Sequence, residues 1–156
     1  MDILRILVVL FLCLVSLSFA ETKKFMIDLK TGDMETFNKS FLGGVPGTID
    51  YFVSQGDNVE VAVVIHGDAY KFFVQNLGNT TYGLDNSLVA QQETIHQRLQ
   101  EIVKKYRVHF DICMVGMHKK GILSEDLYPF VTPIKSAVVG LVKWQNDGYA
   151  YVPIHW

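Results

Sequence analysis

The segment Val59-Glu-Val-Ala-Val-Val-Ile-His66 constrains the fold more than any other part of the chain. It is rich in β-branched residues and nearly all apolar. A strand with one wet face alternates polar and apolar residues, whereas a run like this one needs cover on both faces, as inside a parallel sheet. Val108–Val115 has the same character. Between the two, Ser87–Tyr106 puts Leu88, Ile95, Leu99, Ile102, Val103 and Tyr106 on one side of a helix, which is the crossover that two parallel strands require.

The remaining segments continue the alternation. Lys24–Leu29 reads as a strand, Met34–Leu42 as a short helix ending at Gly43-Gly44, and Thr48–Gln55 as a helix capped by Thr48 and stopped by Gly56. Gly78–Asp85 reads as a loop. Ser124-Glu-Asp126 opens a short helix that Pro129 closes, and Phe130–Lys135 is a strand carrying Pro133. Ser136 caps a helix through Asn146, Gly148 ends it, and Tyr149–Ile154 is the last strand. This order implies a three-layer α/β domain with a mostly parallel sheet of about five strands. Ligands of such sheets sit outside the carboxyl ends of the strands. His66 and Cys113 arrive there from two different strands.

Residues 1–20 read as a secretory signal. Ile6–Val15 is unbroken apolar sequence, and Ser16-Leu-Ser-Phe-Ala20 ends in the small-x-small pattern of a cleavage site. The run is short of the ~20 residues of a spanning helix. Residues 21–156 are then expected to form one exported domain, off the membrane after cleavage and most naturally in a bacterial periplasm. Cleavage removes Asp2 and Arg5 together, so the net charge stays at −2. That leaves no basic surplus for nucleic acid.

Cleavage also removes Cys13, leaving Cys113 as the one thiol of the domain. In an oxidising compartment an odd thiol implies burial, an intermolecular partner or reactivity. A helix starting near Val115 places Cys113 close to unpaired backbone N–H groups, which favour the thiolate, and Lys119 and Lys120 add positive potential about a turn away. The other reading is a cysteine packed as a small hydrophobe, and both stand. Cys113, His66 and His118 would supply zinc-type ligands, but no H-E-x-x-H or C-x-x-C spacing accompanies them, and neither metal nor cofactor is expected. His66 reads instead as a hydrogen-bonding group, base or cation beside the thiol. His96 and His109 read as surface residues, Asp111 as a strand-edge residue, and Tyr70, Phe72 and Phe73 as core or subunit interface. Elbow motifs of the G-x-S-x-G type, phosphate-binding glycine loops and G-x-G-x-x-G are absent.

Several segments resemble the DsrE/DsrF-like family of sulfur-relay proteins, its stand-alone members in particular. They are Val61-Ala-Val-Val-Ile-His-Gly67, Asp111-Ile-Cys113 with Gly121-Ile122, and Ser124-Glu-Asp-Leu-Tyr-Pro129. Ser136-Ala-Val-Val-Gly-Leu-Val-Lys143 and Gln145-Asn-Asp-Gly-Tyr-Ala-Tyr-Val-Pro153 complete the match over roughly residues 59–155. The resemblance implies a doubly wound α/β fold and assembly into homo-oligomers, trimers or hexamers. It also implies that Cys113 occupies the position at which sulfur is received as a persulfide from a donor and passed to an acceptor protein. The alternative function is a non-catalytic oligomeric module, binding a small molecule or partner, in which Cys113 is buried structure.

Overall fold

The computed structural model describes residues 20–155; residues 1–19, and with them nearly all of the expected signal segment, lie outside the described part. Five strands form one sheet: β1 (Thr22–Leu29), β2 (Asn58–Ile65), β3 (Val108–Cys113), β4 (Val131–Ile134) and β5 (Ala150–Ile154). Their order is β4-β3-β2-β1-β5 and every pairing is parallel, so the mostly parallel sheet is wholly so. β2 lies between β1 and β3, and its apolar run is covered on both faces as its composition requires.

The connections β1–β2 and β2–β3 place helices on one face. These are α1 (Met34–Thr36), α2 (Gly44–Ser54) and α3 (Asn86–Lys105). Asp85 caps α3 by accepting from Leu88 N–H at 3.0 Å, and Leu88, Ile95, Leu99 and Ile102 are its buried residues. The core of this face is aromatic, with Phe37 stacked on Phe72 at 3.9 Å between ring centroids and Phe41, Phe73 and Phe110 packed around them. Tyr70, Phe72 and Phe73 belong to this core. After β4 the chain crosses to the other face as α5 (Ala137–Asn146), capped by Ser136, whose hydroxyl accepts from Val139 N–H. There Trp144 and Tyr149 pack with Met26, Ala62 and Val64.

Three local readings differ. The two expected helices at 34–42 and 48–55 are one helical run, because a π-helical stretch (Phe37–Gly43) joins α1 to α2 through Gly43-Gly44. Gly44 N–H reaches back five residues to Lys39 O. This wider turn comes just before Pro46, which has no N–H and would crowd a regular ladder. Thr48 is therefore inside α2, its hydroxyl donating to Gly44 O, and is not a cap. The loop at 78–85 is built from 3₁₀ turns, Leu77–Asn79 and Thr81–Leu84. Asp111 is no strand-edge residue either: it is buried in β3 and accepts the Trp144 indole N–H at 2.8 Å. Both outer strands carry a proline, Pro133 in β4 and Pro153 in β5, which edge positions tolerate.

Asp111→Ala leaves the Trp144 N–H without its acceptor in a buried site. We expect a loss of about 1–3 kcal/mol in unfolding free energy, read from urea denaturation, while Asp111→Asn retains part of it.

Candidate functional site

Cys113 closes β3 and pairs with Ile134, which closes β4. The chain leaves these neighbouring strands in opposite directions. From β3 it enters a short helix, α4 (Met114–Lys120), whose Met117 packs into the aromatic-side core; from β4 it enters α5 on the opposite face. Adjacent strands whose continuations diverge to opposite faces open a crevice between them, the usual ligand position of a doubly wound sheet. Cys113 stands at that crevice. Its side chain is 6% exposed.

Burial works against ionisation of the thiol, but it is outweighed. The Gly116 backbone N–H, then the Tyr70 hydroxyl and the N–H groups of Ala137 and Val115, act electrostatically in favour of the thiolate. They hold the Cys113 pKa below its ordinary value. None forms a capping hydrogen bond of regular geometry with the thiol; the effect is that of several partial positive charges around one sulfur. Tyr70 comes from a 3₁₀ turn, Ala69–Phe72, after β2 and donates to Cys113 O at 2.8 Å. Burial first, and then the neighbouring Cys113, push its own pKa upward, so it remains a donor. Gly116 is the space for this hydroxyl, since a Cβ there would overlap it. Tyr70 is legible as a cleft-lining, core or subunit-interface aromatic, but no local spacing connects it to a cysteine 43 residues away. Around the crevice, Met114, Val115, Val138 and Val139 are exposed.

The other expected site residues are placed differently. Lys119 and His118 are exposed in the last turn of α4, at the end away from the thiol. Lys120 turns to Asp68 at 3.1 Å and lies over the Tyr70 and Tyr82 rings. His66 follows the last residue of β2, the strand next to β3, but its hydrogen bond is to Asp28, so Cys113, His66 and His118 do not form a ligand set. Among the described residues no group of three or more His, Cys, Asp or Glu side chains is arranged to hold a metal ion. His109 is exposed beside Trp144, whereas His96 is half-buried and stacks on Tyr128.

Asp28 is a feature the sequence reading passed over. This buried carboxylate near the end of β1 accepts from His66 Nε2 at 2.5 Å, Tyr151 Oη at 2.6 Å and His155 Nε2 at 2.8 Å. Burial raises its pKa, yet the hydrogen bonds from His66, Tyr151 and His155 prevail and hold it well below the ordinary carboxylate range. The same bond, with burial second, pushes Tyr151 up to about 12. The available signal was an acid inside the apolar run Phe25-Met-Ile-Asp-Leu29. Because the folded pKa is depressed, the stability Asp28 contributes is whole above the unfolded carboxyl value of about 3.9 and is lost as pH falls toward the folded one. We expect Asp28→Asn to flatten the acid limb of the urea midpoint plotted against pH, leaving the neutral region lower and nearly level.

Comparison with known proteins agrees with this architecture. An uncharacterized protein of Aquifex aeolicus (strain VF5) is 25% identical over 144 residues, which is 92% of this chain but 61% of that protein's length. A solved structure, a protein of unknown function from Methanobacterium thermoautotrophicum, superposes with a TM-score of 0.59 at 19% identity, covering 85% of this chain and 98% of that one. That likeness concerns the fold. The model of the DsrE/DsrF-like family matches residues 11–154, nearly the whole described domain, and the chain belongs to that family.

Proposed function

We propose that this protein handles sulfur through Cys113, which receives a sulfur atom as a persulfide and yields it to an acceptor thiol. The observation that carries this reading is the place of Cys113 at the paired ends of β3 and β4, where the two chain segments part to opposite faces and the Tyr70 hydroxyl is bonded to the Cys113 carbonyl; neighbouring N–H groups there lower the thiol pKa. Partial positive charge there favours the thiolate, the attacking form in exchange at sulfur. The same donors suit the negative outer sulfur of a bound persulfide. Lys119, in the last turn of α4, contributes only longer-range potential in this scheme, and His66, bonded to Asp28, is its other supporting basic residue.

The exposed residues beside the crevice favour a protein as donor or acceptor. Met114, Val115, Val138 and Val139 present apolar surface next to the buried thiol. Val142 extends it along α5. This surface also supports assembly into a homo-oligomer, whose number, a trimer or hexamer, rests on the family resemblance. Export to a periplasm rests on the apolar run and small-x-small ending of residues 1–20. Among the described residues no helix is long and apolar enough to cross a membrane. One observation favours a second reading: Cys113 is 6% exposed as a residue, as a structural cysteine would be. In that case the chain is a non-catalytic oligomeric module, binding a small molecule or partner.

Intact mass separates the two. Wild-type protein incubated with polysulfide is expected to gain whole sulfur atoms, lost on reduction, and Cys113→Ser to gain none. An unmodified wild type whose thiol resists alkylation until the protein unfolds would establish the structural module. A second expectation concerns ionisation: the pH at which Cys113 alkylation reaches half its maximal rate lies below the ordinary thiol value of about 8.5. Tyr70→Phe, which removes one donor, moves that midpoint upward.

A further inference from the structure

β5 reaches the sheet last, and one of its faces has only a partial roof. Phe25, Ile27 and Leu29 of β1 pair with Ala150, Val152 and Ile154 of β5. The three β1 residues belong to the aromatic-side core, so their partners in register stand on that face too. The helical run at 34–54 turns Phe41, Val45 and Ile49 into the same core. It stops short of covering β5, where Val152 stays 39% exposed. α5, the helix before β5, lies on the opposite face. What remains is a trough between helix and strand. Its floor is Phe25 and Ile27, and β5 is one wall. The other wall is a row of residues four apart, Ser40, Gly44, Thr48 and Phe52, which such spacing keeps on one side of a helix.

Dimensions and charge decide what fits there. From Ala150 to Ile154 the strand wall is about 13 Å long, and from Ser40 to Phe52 the helical wall is about 18 Å. A volume of about 450 Å³ over that length leaves a section roughly 6 Å across. A helix with its side chains measures about 10–12 Å, so a helix of another chain is too wide. An extended peptide would set its backbone N–H and C=O groups against apolar walls, which is costly. No charged side chain lines the trough. Its polar side chains are Ser40 and Thr48, and the Thr48 hydroxyl is already donated to Gly44 O. The complement of such walls is narrow, uncharged and without hydrogen-bonding groups. A saturated hydrocarbon chain meets all three conditions.

We propose that this trough binds the alkyl chain of a monomeric medium-chain fatty acid, with the carboxylate left in solvent. Ordinary C–C bond lengths make the matching chain about ten carbons long. The site lies at β5, three strand positions from the β3 that carries Cys113, and does not depend on the sulfur reading. Each methylene drawn out of water is worth about fourfold in affinity (about 0.8 kcal/mol). Affinity therefore climbs with chain length until the trough is full. Gly44 offers a way to fill it instead. Its φ is −68°, an ordinary helical value, and a Cβ there meets only Lys39 O at 3.5 Å. The backbone accepts a larger side chain at this wall position. Gly47 in the same helix is exposed, has nothing within 4 Å of an added Cβ and is not a wall residue.

The test titrates full-length wild type, Gly44→Leu and Gly47→Leu with hexanoate, octanoate and decanoate by calorimetry, below the concentrations at which they form micelles. Wild type and Gly47→Leu are expected to bind one decanoate per chain. Each shortening by two carbons should weaken binding about 15-fold. Gly44→Leu is expected to weaken decanoate binding at least about 10-fold while melting no lower than Gly47→Leu. Circular dichroism checks folding, and Ser40→Leu, at an exposed wall position, takes over if Gly44→Leu does not fold. Absence of binding to wild type, affinity indifferent to chain length, or binding that survives the wall variants would each overturn the proposal. A dimer that decanoate dissociates would assign the trough to a second copy of the chain and overturn it equally.

Discussion

The pairing of Cys113 with Ile134 is the constraint on which the site depends. Right-handed crossovers leave little freedom in a parallel sheet. The continuation of β3 goes to the face already holding α1, α2 and α3, while α5 must take the other face so that β5 can be laid beside β1. Two chain segments therefore start at adjacent strand ends and part company, and N–H groups near the start of each lower the pKa of the thiol between them. A residue placed there meets partial positive charge from two directions without any basic side chain. The chain places its single described thiol at that point.

This arrangement explains why charge is sparse around the cysteine. Lys119 is exposed in the last turn of α4, Lys120 is held by Asp68, and the exposed residues at the starts of α4 and α5 are apolar. Backbone donors do not swing and are not screened as a surface lysine would be. The surroundings can then stay apolar while the sulfur remains polarised. Tyr70 joins the two requirements. Its ring belongs to the aromatic core, and its hydroxyl reaches the end of β3 through the gap that Gly116 leaves.

Much of this was legible from the chain because it depends on local pattern. Apolar β-branched runs separated by an amphipathic helix specify parallel strands, and an apolar strand running into Cys113 and a glycine-stopped helix places the thiol at a strand end. Gly121 stops that helix with φ near 65°. What could not be read was long in range. Asp28 is completed by Tyr151 and His155, 123 and 127 residues further on, which meet it only because β5 returns beside β1. Asp111 finds Trp144 across the sheet face in the same way. The joined helix at 34–54 was hidden for a different reason: Gly43-Gly44 and Pro46 look like a break, and a wider helical turn absorbs them.

The prolines of the outer strands carry a consequence for whether the sheet can be extended at its edges. A sheet grows by offering an unbroken row of donors and acceptors to the next strand. β4 and β5 are only four and five residues long, and each has a proline in place of one N–H. A second sheet brought alongside either edge would find a short ladder with a missing rung. Strand-to-strand polymerisation is thereby discouraged on both sides, and the surfaces left for association are the helical faces, one of which borders the thiol.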